Sequence, residues 1–174
     1  MKRIAIDMDE VMADTLSMHL ELINRDFKDN IIISEIQGKS ILDVHPHLKD
    51  KIYTNLKDPS FFRNIKVMEH SQKVIRELSQ YYEIFIASAA MEVPASFTAK
   101  YEWLKEHFSF LSDNNFVFCG DKSVINADYL IDDNVKQFKR FSGKGILYTS
   151  SRNIYETGYI RVNNWLEVRE YFMK

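Results

Sequence analysis

The chain opens Met1-Lys-Arg-Ile-Ala-Ile-Asp-Met-Asp-Glu-Val-Met-Ala-Asp14, and this stretch decides the fold. A short apolar run, Ile4 to Ile6, ends abruptly in two carboxylates, Asp7 and Asp9, and an apolar, helix-compatible segment follows at once. Along an extended chain, positions i and i+2 point to the same side. Asp7 and Asp9 are therefore expected to project together from the C-terminal end of a first strand. In open α/β sheets that end is where ligands bind. Like charges held side by side repel unless a cation or a shared proton separates them, so the pair suggests a metal site or an acid–base pair. The plainer alternative is turn chemistry, since Asp commonly starts turns and caps helices.

The chain has 174 residues, 45% hydrophobic and 28% charged, which suits one globular domain with a small insertion. A net charge of −2 argues against a nucleic-acid polymer or a polybasic membrane patch as partner. An anionic ligand would then need a local cation, either a metal ion or a few placed lysines. No apolar run approaches the ~20 residues of a transmembrane helix. Lys2 and Arg3 precede only three apolar residues, so no signal peptide is expected and a cytoplasmic location is the default. The lone Cys119 lies in an apolar run and reads as a small buried hydrophobe.

Four more short apolar runs read as strands: Ile84 to Ala87, Phe116 to Cys119, Tyr129 to Ile131 and Gly145 to Tyr148. Each is nearly continuous, as expected of parallel strands covered on both faces. Helical spacing marks Val74, Leu78 and Tyr81, then Tyr101, Leu104 and Phe108, then Val135, Phe138 and Phe141, and finally Trp165, Val168 and Phe172. Alternating strands and helices predict an α/β fold with a doubly wound parallel sheet. About sixty residues part the first strand from the helix leading into the second, too many for a structureless loop. Helical patterns run from Met12 to Phe27 and from Leu48 to Leu56. Residues 14–71 are thus expected to form a small helical cap over the strand ends, with 1–13 and 72–174 as the core.

Three further features fall at the same edge. The second strand ends in Ser88, whose hydroxyl beside free backbone N–H groups can hold a phosphate oxygen. The fourth ends in Asp132-Asp133; adjacent acids point oppositely, so one is expected to face Asp7 and Asp9 while the other organises the loop. Oxygen ligands select a hard cation, and Mg²⁺ accepts few protein ligands plus water and phosphate. Lys100, at the start of a helix, and Lys122, after the third strand, are the candidate cations for the phosphate.

With these residues in place, the chain resembles the haloacid dehalogenase (HAD) superfamily of phosphotransferases. Asp7-Met-Asp9-x-Val11 is similar to its first motif, Ser88 to its second and Asp132-Asp133 to its fourth. Asp7 to Asp14, Pro59-Ser-Phe-Phe62, Lys100-Tyr-x-Trp103 and the stretch Asp121 to Asp133 resemble the 5′(3′)-deoxyribonucleotidase branch more closely. The resemblance implies a Rossmannoid, Mg²⁺-dependent phosphomonoester hydrolase acting on nucleoside monophosphates. In it, Asp7 would take the phosphoryl group as an aspartyl-phosphate, and Asp9 would protonate the leaving oxygen and then activate water. Asp7, the Asp9 backbone carbonyl and Asp132 would hold the metal, with Asp133 as support. Ser88 and Lys100 would bind phosphate, Lys100 being preferred to Lys122 because the branch places its lysine in the Lys-Tyr-x-Trp helix. Phe62 would line the substrate pocket. Asp9 needs a raised pKa for its role, and burial under the cap is the expected source.

The cap departs from the branch. Thr15 stands where an aromatic is expected, the Gln37 to Val44 region lacks a Trp, and Gly120 and Asn134 replace basic residues. Phe61 and Phe62 are as consistent with packing as with base stacking. Two rival readings follow: a HAD phosphatase for another small phosphorylated metabolite, and a non-enzymatic phosphoacceptor switch resembling a response-regulator receiver. Motif order and the long insertion weigh against the second. Met18, His19 and Leu20 could be core or interface, and oligomeric state is not legible. His45 and His47 read as loop residues rather than zinc ligands.

Overall fold

The computed structural model describes residues 1–27 and 30–174. In chain order, β1 (Arg3–Ile6) is followed by the helices α1 (Thr15–Phe27), α2 (Ile41–Val44), α3 (Lys49–Lys57), α4 (Pro59–Arg63) and α5 (Ser71–Leu78). Then come β2 (Glu83–Ser88), α6 (Phe97–His107), β3 (Phe116–Phe118), β4 (Tyr129–Asp132), β5 (Lys144–Tyr148), β6 (Ile160–Val162) and α7 (Trp165–Phe172). The six strands form one parallel sheet in the order β3-β2-β1-β4-β5-β6. This is the doubly wound α/β arrangement, with β1 at the point where the winding reverses and a crevice opens beyond the strand ends.

Strand register explains why the acids meet. Ile6 pairs with Ile131 of β4 and with Ile86 of β2. One step further along β1 and β4 stand Asp7 and Asp132, and the Asp7 amide donates to the Ile131 carbonyl at 2.9 Å. Ile4, Ile6, Ile84, Ile86 and Ile131 join the larger apolar cluster with Trp103 and Trp165, while Ala5, Ala87 and Leu130 join a cluster with Ile125 and Phe141. Both faces are thus covered, which is why the strands read as continuous apolar runs.

The inserted helices have an apolar cluster of their own, built from Leu20, Ile23, Ile31, Ile36, Ile41, Leu48 and Ile52. Phe61, Phe62 and Ile65 pack instead into the main core, as does the partly buried Met18. The neck of the insertion is tied by backbone bonds from the Asp14 amide to the Lys66 carbonyl (2.9 Å) and from the Met68 amide to the Met12 carbonyl (2.8 Å). On the far side the Gly38 amide reaches the Ser151 carbonyl at 2.7 Å. Gly38 has φ +71°, and a Cβ there would lie 2.3 Å from the Tyr155 ring, so the contact requires glycine.

Three local expectations change. The helix expected from Met12 begins at Thr15. Glu10 takes a left-handed φ of +62°, and the amides of Met12 and Ala13 both bond to the Met8 carbonyl, so a tight turn precedes the helix. Around Val135, Phe138 and Phe141 only one 3₁₀ turn forms, Val135–Phe138. Residues 133–143 are too few for a full helical crossover back to β5. The short strand β6 was not anticipated; Ile160–Val162 is only three residues long and carries an Arg at its centre. Among the described residues no helix is long and apolar enough to cross a membrane.

The turn after Asp9 is held from below by α7: buried Trp165 donates its indole N–H to the Val11 carbonyl at 2.8 Å. Trp165→Phe should therefore cost about 2 kcal/mol, combining a lost buried hydrogen bond and a small cavity. Chemical denaturation would read this as a lower midpoint at unchanged slope; an unshifted midpoint would contradict it.

Candidate active site

Beyond the C-terminal ends of β1, β2 and β4, four carboxylates and two ammonium groups share one small volume. Lys122 is buried, and its Nζ donates to Asp7 Oδ1 and to Asp132 Oδ2, each at 2.5 Å. The short 3₁₀ turn Lys122–Val124 places it there, with Asp121 accepting from the Ser123 amide to start the turn. Lys100 is also buried and donates to Asp9 Oδ2 and to the Ser88 hydroxyl, the latter at 3.2 Å. It occupies the first turn of α6, and Trp103, three residues on, anchors that face by donating to the Ile65 carbonyl at 2.8 Å. Both lysines named from the sequence thus reach the acids: Lys122 touches Asp7, and Lys100 touches Asp9 and Ser88.

The surrounding groups fix these side chains. The Thr15 hydroxyl donates to Asp9 Oδ1 at 3.1 Å. Asp132 also accepts from the Asn134 amide at 2.8 Å, and Asp133 accepts from the Ser150 hydroxyl at 3.0 Å. Phe62 is buried, meets the Phe61 ring edge-on and lies with its ring centroid 4.9 Å from the Lys100 ammonium. It belongs to the core and at the same time lines the cavity at the acid cluster. Glu10 accepts from the Leu16 amide at 2.5 Å and so ties the β1 loop to the start of α1.

Burial and mutual repulsion set the protonation of the acids. Burial pushes the Asp7 carboxyl up to about 7, Lys122 opposes this, and the charges of Asp132 and Asp9 reinforce it. Asp133 is pushed up to about 7 by burial and by Asp7. Asp132 is also raised, with burial outweighing Lys122. Burial disfavours the Lys122 charge, but Asp7 and Asp132 more than compensate and hold it above its ordinary range. Asp9 corrects the expectation of a raised pKa. Burial would raise it, yet the Lys100 ammonium and the hydrogen bonds from Lys100 and Thr15 outweigh burial and hold it below the usual carboxylate range.

The residues fit a hard divalent cation. Asp7, Asp132 and Asp133 each offer a carboxylate oxygen, and these oxygens lie within 4.8 Å of one another. An all-oxygen set of like charges is what Mg²⁺ or a similar ion relieves. Asp133, expected only behind the cluster, is one of these three donors, whereas the Asp9 carboxylate is engaged by Lys100 and Thr15. His45 and His47 are not part of the group.

Two cavities of about 260 Å³ meet at this point. The one at the acid cluster is lined by residues that include Asp7, Asp9, Phe62, Lys100, Lys122 and Asp132. The second lies under the inserted helices and shares Asp9, Thr15, Asp133 and Arg152 with the first. Sequence reasoning passed over Thr15 as a partner of Asp9, and over Arg152. The signal for Arg152 was available: Ser150-Ser151-Arg152 follows a predicted strand, at the edge where ligands bind. Asn134 serves the turn, accepting from the Lys136 amide at 3.1 Å.

Comparison with known proteins gives the family and the fold. The family described as 5′ nucleotidase, deoxy (pyrimidine), cytosolic type C protein matches residues 1–174. A Staphylococcus epidermidis protein with a provisional 5′(3′)-deoxyribonucleotidase name is 49% identical over 171 residues, covering 98% of this chain and 96% of the relative. A 5′(3′)-deoxyribonucleotidase of Bacillus subtilis is 40% identical over 171 residues, covering 96% of each. Among solved structures, a magnesium-bound Bacillus subtilis protein provisionally classed as a HAD hydrolase superposes with a TM-score of 0.63 at 12% identity over 99% of both chains. A haloacid dehalogenase-like hydrolase from Streptococcus pneumoniae gives 0.59 at 12% identity, covering 99% of this chain and 98% of that one. The chain belongs to the 5′ nucleotidase, deoxy (pyrimidine), cytosolic type C family, and is a phosphoric monoester hydrolase of the 5′-nucleotidase type on a HAD-like fold.

Proposed function

We propose that the protein is a magnesium-dependent 5′(3′)-deoxyribonucleotidase that dephosphorylates (deoxy)nucleoside monophosphates through an aspartyl-phosphate on Asp7. The observation carrying this reading is the convergence of Asp7, Asp132 and Asp133 within 4.8 Å, beside two buried lysines and a serine hydroxyl. Asp7, Asp132 and Asp133, with the Asp9 backbone carbonyl, would hold the metal, which when bound supplies positive charge against the phosphate and the developing transition state.

The chain's own groups account for the rest. Asp7 Oδ attacks phosphorus; the P–O bond to the sugar breaks, and the leaving oxygen takes a proton from Asp9. Lys100 bridges Asp9 and Ser88, so an arriving dianion competes for its ammonium. Drawing Lys100 toward phosphate removes the main influence depressing Asp9, which lets burial raise its pKa and makes it able to hold the proton. Water then attacks the acyl-phosphate, giving its proton to Asp9 and restoring the Asp7 carboxylate. Ser88 and Lys100 would bind the phosphate, and Lys122 would hold Asp7 in line and spread its charge. The inserted helices act as a cap that limits bulk water at the site while admitting the attacking water, with the base lodged in the cavity beneath them and the sugar near Phe62.

A screen of deoxy- and ribonucleoside monophosphates, with 5′ and 3′ isomers, tests the substrate; failure to turn over any of them with Mg²⁺ would overturn it. Asp7→Asn and Asp9→Asn should each lower kcat by about 100-fold or more. Acid quench with labelled substrate should trap phosphate on wild-type protein and none on Asp7→Asn; equal labelling would place the nucleophile elsewhere. Chelation should abolish turnover and added Mg²⁺ restore it, and activity that persisted in excess chelator would remove the metal from the account.

A further inference from the structure

The cavity beneath the cap combines aliphatic side chains, among them Leu16, Ile36, Ile41 and Ile52, with polar ones such as Lys39, Ser40 and Arg152, and α1 adds an imidazole to its lining. The His19 ring packs against Phe61 with centroids 4.5 Å apart. Its Nδ1 is shielded from solvent and has no hydrogen-bond partner among the described residues. A buried polar atom left unpaired is costly, and an aliphatic side chain would fill this place without that cost. The same cavity is lined by Asp9 and Thr15, which also line the catalytic cavity, so a group leaving through the oxygen at Asp9 extends toward His19.

We propose that His19 is a specificity-determining residue that hydrogen-bonds the polar edge of the planar heterocyclic base carried by the leaving nucleoside and seated under the cap. The proposal rests on the nucleotidase reading and deepens it, because it names the residue that separates a nucleotide from an abasic sugar phosphate. Burial holds the imidazole down at about 4, with the Asp9 charge offsetting only part of the effect, so the ring is neutral near pH 7. With Nδ1 shielded, a neutral imidazole can make one hydrogen bond through Nε2 to a nucleobase edge, as donor or acceptor according to its tautomer. Phe61 holds the ring plane, leaving little rotational freedom to be lost on binding.

The test compares kcat/KM for 2′-deoxyuridine 5′-monophosphate and for 2-deoxyribose 5-phosphate in wild type, His19→Leu and His19→Gln. In His19→Leu the ratio of the two should fall about tenfold or more, and His19→Gln should recover part of it. An unchanged ratio, or an equal loss on both substrates, would overturn the proposal, since a merely structural histidine lowers both together. Should His19→Leu fail to fold, a nucleotide bearing a nonpolar isostere of the base carries the test on wild type. It should lose about tenfold against the natural nucleotide, and parity would count against His19. If wild type turns over the sugar phosphate and no nucleotide, the nucleotidase reading itself fails, and this proposal with it.

Discussion

Burying several carboxylates in one place is the constraint on which the rest of the structure depends. Asp7, Asp9, Asp132 and Asp133 stand together at the strand ends; Lys100 and Lys122 pair directly with the first three, and the Arg152 charge offsets Asp133. The shortfall shows in the upward push on Asp7 and Asp133 to about 7. Such a cluster is unfavourable for the folded chain alone and favourable once a divalent cation joins it. Under the function proposed above, stability is given up at the place where a bound cation and dianion would recover it.

The scaffold makes that concentration of charge possible. Parallel pairing of β1 with β4 sets Asp7 beside Asp132 by register, with no dependence on loop conformation. Trp165 and Trp103 fix the flanking turns through indole hydrogen bonds to Val11 and Ile65. The inserted helices are joined to the core through the neck at residues 13–14 and 66–68 and through the Gly38–Ser151 contact. Beneath them lies a cavity lined by aliphatic and charged side chains, beside the one that holds the acid cluster.

Much of this was legible in the chain. The abrupt passage from Ile6 to Asp7 and the continuous apolar runs determine a parallel sheet, because only strands covered on both faces are apolar throughout. Asp132 was readable as a strand-end acid. Side-chain pairings were less legible, because they depend on reach across the fold. Lys100 and Lys122 could not be apportioned between Asp9 and Asp7 by spacing alone. The direction of the Asp9 shift was misjudged because burial was weighed without the lysine that contacts it. The strand β6 was missed because three residues with a central Arg161 give no periodic signal, and Arg152 went unread although its place just after β5 put it at the ligand-binding edge.

The central claim is that acids from β1 and β4 close on a single divalent ion. Diffraction from crystals soaked in Mn²⁺, recorded for its anomalous signal, tests this most directly. The account predicts one strong peak at about 2.1 Å from carboxylate oxygens of Asp7 and Asp132. An empty cluster in crystals that bind Mn²⁺ elsewhere, or a peak held by other residues, would contradict it.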